Sequence, residues 1–100
     1  PSMESMQIDG NKITIRFRDT GGQLNTRDGK TPSHFEVIGD AATGYKPATA
    51  RVDGNSVILK SDEVKAPVAF RFAWDKLAEP NLTGATGLPV GAVRGGEEPK

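Results

Sequence analysis

Lys12-Ile13-Thr14-Ile15-Arg16-Phe17-Arg18 alternates polar and apolar residues without a fault. Successive side chains of an extended strand point to opposite faces, so Ile13, Ile15 and Phe17 share one side while Lys12, Thr14, Arg16 and Arg18 share the other. That is the pattern of a strand with one face in a core and one in water. Upstream, Met6 and Ile8 alternate in the same way, and Asp9-Gly10-Asn11 separates the two runs. Glycine and asparagine tolerate the positive φ that a tight hairpin turn demands, so the first unit reads as a hairpin. The phrase recurs at Val52-Asp53-Gly54-Asn55-Ser56-Val57-Ile58-Leu59. Two copies are too few for a solenoid, and a second hairpin with the same turn chemistry accounts for them. Ala48, Ala50 and Val52 lead into that turn, and Val57 and Leu59 lead out of it.

The most apolar run is Val68-Ala69-Phe70-Arg71-Phe72-Ala73-Trp74. Alternation places Val68, Phe70, Phe72 and Trp74 on one face, which predicts a strand lying centrally against the core, with Trp74 at least half inside it. Phe35-Glu36-Val37-Ile38 is a further short strand. Gly21-Gly22 and Arg27-Asp28-Gly29-Lys30 are turn-forming loops. No segment offers ten residues of clean 3.6-residue periodicity. The expected fold is all-β: about six mostly antiparallel strands in a β-sandwich of Ig-like or jelly-roll-like type, with an irregular C-terminal tail. Alternation stops at Trp74. The expected organisation is therefore a sandwich core over 5–74, an extended segment over 75–94 and a disordered Gly/Pro-rich tail over 95–100. The chain starts at Pro1 and is expected to be a monomeric domain cut from a longer protein.

Composition narrows the function. Thirteen basic and thirteen acidic residues give a formal net charge of zero, so there is no electrostatic case for a nucleic-acid or membrane-surface partner. The absence of cysteine removes disulfide scaffolds and thiolate metal sites. No apolar run approaches the ~18 residues of a membrane span, and no signal-type segment is present. The chain holds a single histidine, His34, which leaves a zinc site short of ligands. Calcium-loop and phosphate-loop patterns are likewise missing, so no metal and no cofactor is expected.

A hydrolytic triad needs a nucleophile, a base and an orienting acid. None of the five serines lies in a Gly-x-Ser-x-Gly elbow, there is no Gly-Asp-Ser block, and the residue three before His34 is Thr31 rather than aspartate. Ser33 beside His34 is the one place where nucleophile and base types meet. Neighbouring residues usually point apart, so a loop histidine and no catalytic residue is the expectation. A sandwich could bind sugar through an exposed ring, for which Trp74 and Tyr45 are the candidates. Asn81-Leu82-Thr83 matches the glycosylation acceptor pattern, a short motif frequent by chance.

Read in order, several phrases resemble the C-terminal portion of the sialate O-acetylesterase family. Gly21-Gly22-Gln23-Leu24 with Arg27-Asp28-Gly29-Lys30 is similar to that family's Gly-rich turn, and Phe35-Glu36-Val37-Ile38-Gly39 to its following strand. Pro47-Ala48-Thr49-Ala50 and Val57 come next. Val64-Lys65-Ala66-Pro67-Val68-Ala69-Phe70-Arg71-Phe72-Ala73-Trp74 resembles the family's Val-Lys-x-Pro-x-x-Val-Arg-Tyr-Ala-Trp. Pro80-Asn81-Leu82, Gly87-Leu88-Pro89 and Arg94 resemble its closing phrase. The match spans most of 8–94. Two departures stand out: Gly84 where the family has asparagine, and Val93 where it has phenylalanine.

The resemblance implies a parent with an SGNH-type hydrolase domain that removes O-acetyl groups from sialic acid or other carbohydrates. That family's serine, aspartate and histidine lie upstream, and none maps onto this chain. The domain would then be a non-catalytic accessory module partnered with the upstream catalytic domain of the same chain, and the parent would be exported to the periplasm, the extracellular space or the lysosome. Asn81, Leu82, Leu88, Pro89 and Arg94 would dock on the catalytic domain, helped by prolines that lower the entropy cost of ordering such a strap. The alternatives are an Ig-like or fibronectin-like extracellular spacer and a carbohydrate-binding module.

Overall fold

A computed structural model of the chain describes residues 1–74 and 80–97. The strands are β1 (Ser2–Asp9), β2 (Lys12–Arg18), β3 (Leu24–Thr26), β4 (Phe35–Ile38), β5 (Tyr45–Pro47), β6 (Thr49–Asp53), β7 (Ser56–Lys60), β8 (Ala69–Phe72), β9 (Leu82–Gly84) and β10 (Val93–Gly96). One four-stranded sheet runs β1-β2-β7-β6, a second runs β10-β8-β4-β5, and β3 pairs with β9 in a separate ribbon. All named pairings are antiparallel. The fold is an all-β sandwich, as the alternation predicts.

Both Asp-Gly-Asn turns form. Asp9 pairs with Lys12 and Asp53 with Ser56 across two-residue loops. Gly10 and Gly54 take φ of 62° and 61°, whereas neither asparagine has positive φ. Glycine at the first central position alone is the signature of a type II′ hairpin. The second turn is also anchored: Thr20 Oγ1 donates to Asn55 Oδ1 at 2.6 Å, and the Phe17 and Leu24 N–H groups donate to the Asn55 and Gly54 carbonyls.

The core lies between the sheets. Ile13, Ile15 and Phe17 of β2 with Val57 and Leu59 of β7 meet Phe35 and Val37 of β4 with Phe70 and Phe72 of β8. Phe35 and Phe72, opposite each other in the ladder, bring their ring centroids to 4.4 Å. A β-bulge at Glu4 lets Met3 and Met6, three residues apart, face Phe17 and Ile15, which are two apart. Both methionines then pack against the cluster. Gly95 makes room for this closure, because a Cβ there would lie 2.8 Å from Met6 Sδ and from Phe70 Cε1.

Two expectations are corrected. The core does not stop at residue 74: Leu82 of β9 and Val90 are buried members of the same cluster, beside Leu24 of β3. Strands of three or four residues interrupted by glycine carry too little alternation to be read from sequence. Gly95 and Gly96, expected in a disordered tail, belong to β10 and pair with Phe70 and Ala69. Residues 75–79 of the expected strap and 98–100 of the expected tail lie outside the described residues.

Replacing Leu82 should therefore expose the difference between core and surface in one segment. Leu82→Ala is expected to cost about 2–5 kcal/mol in urea unfolding, the range for removing a buried leucine side chain. Leu88→Ala, at a position 63% exposed, should stay within about 0.5 kcal/mol of the parent. Equal effects at the two positions would contradict the placement of β9.

Candidate functional site

Trp74 does not continue the core face. Phe72 is buried, but Ala73 takes φ of 53°, its N–H donating to the His34 carbonyl at 3.0 Å, and Trp74 emerges 56% exposed. A left-handed conformation costs an L-residue roughly 1–2 kcal/mol, and here it breaks the alternation that would have buried the indole. His34, across from Ala73 just beyond the Phe35–Phe72 pair, also has positive φ, 69°. The last rung of this ladder is thus a pair of left-handed residues.

On the outer face of the second sheet, register sets Arg94, Arg71 and Glu36 side by side in one row across β10, β8 and β4. The next row carries Gly96, Ala69, Ile38 and Tyr45. Arg71 Nε donates to Glu36 Oε1 at 2.8 Å, both side chains being half-buried. The Arg71 guanidinium lies 4.0 Å from the Tyr45 ring centroid and 5.6 Å from that of Trp74, while Arg94 lies 5.4 Å from Trp74. All three distances are within reach of cation–π attraction. Tyr45, Arg71, Trp74 and Arg94 therefore form one continuous run of rings and cations. Beside it, Tyr45, Arg94, Gly95, Gly96 and Phe70 line a cleft of about 330 Å³.

The structure brings together three residues that the sequence singled out separately: Tyr45, Trp74 and Arg94. It adds Arg71 and Glu36, which sequence reasoning missed because only the cross-strand register reveals them. The one local signal is Arg71 itself, a charge in the middle of the most apolar strand; Glu36 in β4 carries none.

The remaining candidates separate by burial. Leu88 and Pro89 are exposed. Leu82 is fully buried in the domain's own core, so its side chain is not available for docking. Asn81 is buried as well and ties down the loop ahead of β4. Its Nδ2 donates to Asp28 Oδ1 at 2.9 Å and to the Thr31 carbonyl at 3.0 Å. Its Oδ1 accepts from the Ser33 N–H at 2.9 Å and from Ser33 Oγ at 3.2 Å. Two donors and two acceptors are all that a primary amide offers, and each is used. With the amide committed in this way, Asn81 cannot serve as a glycan acceptor in the folded chain.

Ser33 and His34 do turn toward each other, against expectation, because of the left-handed backbone at His34. Ser33 Oγ lies 2.8 Å from His34 Nδ1. The serine has one proton, and Asn81 Oδ1 can only accept, so both contacts are satisfied together when Ser33 donates to Asn81 and His34 donates through Nδ1–H to Ser33. In that arrangement the imidazole is no base toward the serine. Among the described residues there is also no cluster of three His, Cys, Asp or Glu side chains able to hold a metal.

No protein-family model matches the chain, and no curated protein matches it significantly. Among solved structures it is similar to a novel carbohydrate acetylesterase from Xanthomonas citri, at 36% sequence identity and a TM-score of 0.87. The relation is to a carbohydrate esterase. The likeness covers 95% of this chain and 22% of that acetylesterase, so the chain spans about a fifth of the esterase's length.

The Asn81 amide, and after it the Lys30 N–H, hold the Asp28 carboxyl below its ordinary value of 3.8. A lowered folded value means that the carboxylate stabilises the native state above about pH 4, and that this contribution is lost as pH falls through the lowered value. Asn81→Ala should let the Asp28 carboxyl titrate closer to 3.8 in an NMR pH series. The same variant should lose about 0.5–1.5 kcal/mol of stability, the net worth of a typical intramolecular hydrogen bond, because the exposed Asp28 and Thr31 partners regain water in its place. An Asp28 titration that ignores the substitution would mean that the amide does not govern this loop.

Proposed function

We propose that the chain is a non-catalytic accessory β-module of a carbohydrate O-acetylesterase of the sialate type, working beside an SGNH-type catalytic domain in the same polypeptide. The observation that carries this reading is the likeness of nearly the whole chain to about a fifth of a carbohydrate acetylesterase. A piece of that size leaves most of the relative's length for a separate hydrolytic domain. The chemistry of the chain supports the same division. Its one histidine meets a serine whose single proton is drawn toward Asn81 Oδ1, and no aspartate or glutamate is bonded to that histidine among the described residues, whereas acyl transfer needs an oriented base aimed at the nucleophile. The ordered phrases from Gly21 to Arg94 that resemble the sialate O-acetylesterase family favour the sialate type.

In this reading the module contributes stability and surface instead of bond cleavage. Leu88 and Pro89 are the exposed members of the proposed docking set that this reading keeps; Arg94 is exposed too, but it lies against the Trp74 ring beside the cleft and is not needed for docking. A prolyl residue in the 87–90 return lowers the entropy cost of ordering it against a neighbouring domain. Leu88 supplies an apolar side chain to bury there, a contribution on the order of 1.5–3 kcal/mol when complete.

Two preparations test the proposal: the chain alone, and the longer polypeptide that contains it. The chain alone should leave p-nitrophenyl acetate at its buffer hydrolysis rate, with His34→Ala indistinguishable from the parent. The longer polypeptide should release acetate from O-acetylated sugars through a serine outside this chain. Turnover by the isolated chain that disappears in His34→Ala would overturn the accessory role, and a longer polypeptide without deacetylase activity would overturn the esterase assignment.

A further inference from the structure

The run on the outer face of the second sheet divides into a part that the fold explains and a part that it does not. Arg71 is accounted for internally: Glu36 neutralises it at 2.8 Å, and Tyr45 stacks on it at 4.0 Å. Arg94 is not. It is exposed, and among the described residues no carboxylate lies within ion-pair distance of it. Its register partner is another cation, Arg71, and like charges directly opposite each other in a ladder are destabilising. Trp74 is the second unexplained feature. It reaches the surface through the left-handed Ala73, whose own side chain stays packed against the core while the indole is carried outward.

The cleft supplies a third observation. Arg94 and Tyr45 wall it, and Gly95 and Gly96 contribute backbone without side chains to its lining. Gly96 has φ of 86° and sits against β8, where a Cβ would meet the Val68 carbonyl. β10 is also an edge strand, so ladder groups on its outer side are open to bonding with hydroxyls. At about 330 Å³ the cleft is at the small end of ligand sites, of a size for one or two sugar rings.

We infer that this cleft binds a glycan through a carboxylate-bearing sugar residue, with Arg94 as the carboxylate's partner and Tyr45 as the wall beside the ring. A guanidinium takes a carboxylate through two parallel hydrogen bonds, and an aromatic wall accepts the apolar face of a pyranose. Trp74, 5.4 Å from Arg94, supports the guanidinium from the other side and is placed to sense its occupancy. The choice of a sugar over another carboxylate rests on the esterase reading above; the choice of an acidic residue over a neutral one rests on Arg94 alone.

Because Trp74 is the chain's one tryptophan, its fluorescence reports directly on this face. Titration of the chain with trigalacturonate should shift Trp74 emission saturably, with an affinity at least about tenfold above that for neutral galactotriose, the margin of one charge-assisted contact. Arg94→Gln should erase that margin while keeping the parent's thermal unfolding, and added salt should narrow it. Tyr45→Phe should retain it, since the wall needs only a ring. A response equal for both sugars, a margin that survives Arg94→Gln, or no response at millimolar trigalacturonate would each overturn the inference. None of these outcomes touches the esterase assignment, which is read by acetate release from the longer polypeptide.

Discussion

The dry layer between β2 and β7 on one side and β4 and β8 on the other is the constraint to which the rest of the chain conforms. Phe17, Phe70 and Phe72 are its largest fully buried side chains, with Ile13, Ile15, Val57 and Leu59 filling the spaces between them. A single core of this size stabilises a 100-residue domain only if water is kept from its edges as well as its faces. Each irregular feature serves that closure. The bulge at Glu4 turns two methionines inward, Gly95 gives up a side chain beneath one of them, and the β3–β9 ribbon brings Leu24 and Leu82 into the same cluster. Gly84, at the end of that ribbon, approaches the Thr20 carbonyl so closely that a Cβ would lie 2.8 Å from its oxygen. The asparagine expected there from the resemblance would need the backbone to move.

The sandwich and both hairpins were legible in the sequence because strand alternation and Asp-Gly turns are local signals. Lys12–Arg18 shows its inner and outer faces without knowledge of any partner. What escaped reading depends on partners distant in sequence. Ala73 turns left-handed where its N–H reaches the His34 carbonyl, across a ladder whose register no single segment encodes. Trp74 was accordingly expected to extend the core face, and it emerges on the opposite side. The strands β9 and β10 were missed for a different reason. With Leu82-Thr83-Gly84 and Val93-Arg94-Gly95-Gly96, they are too short and too rich in glycine to show a period, and pairing with β3 and β8 defines them.

The candidate site followed the same rule. Tyr45, Trp74 and Arg94 could be named singly, on side-chain chemistry or on resemblance, but their convergence could not. It arises because β5, β8 and β10 are non-consecutive strands drawn into one sheet around β4. Asn81 shows the reverse. As a residue type in a Pro/Gly-rich stretch it reads as surface, yet its amide sits 5% exposed with each hydrogen-bonding position used. A buried amide so committed fixes the loop before β4, and with it the left-handed His34 that faces Ala73.

The zero net charge of the chain does not extend to this face. Glu36, Arg71 and Arg94 share one cross-strand row, and the single carboxylate contacts the middle cation. Without Glu36, two guanidiniums would approach one indole with nothing between them to offset their repulsion. With it, Arg71 is paired and stacked on Tyr45, and among the described residues the cation of the row without a carboxylate partner is Arg94 at the sheet edge. The Trp74 ring, 5.4 Å from that guanidinium, attracts it toward the side of the cleft, and rotamers favoured in this way lower the entropy that binding must overcome. The glutamate in the middle of the row thus acts at a distance: by cancelling one arginine it leaves the other as a single, oriented cation.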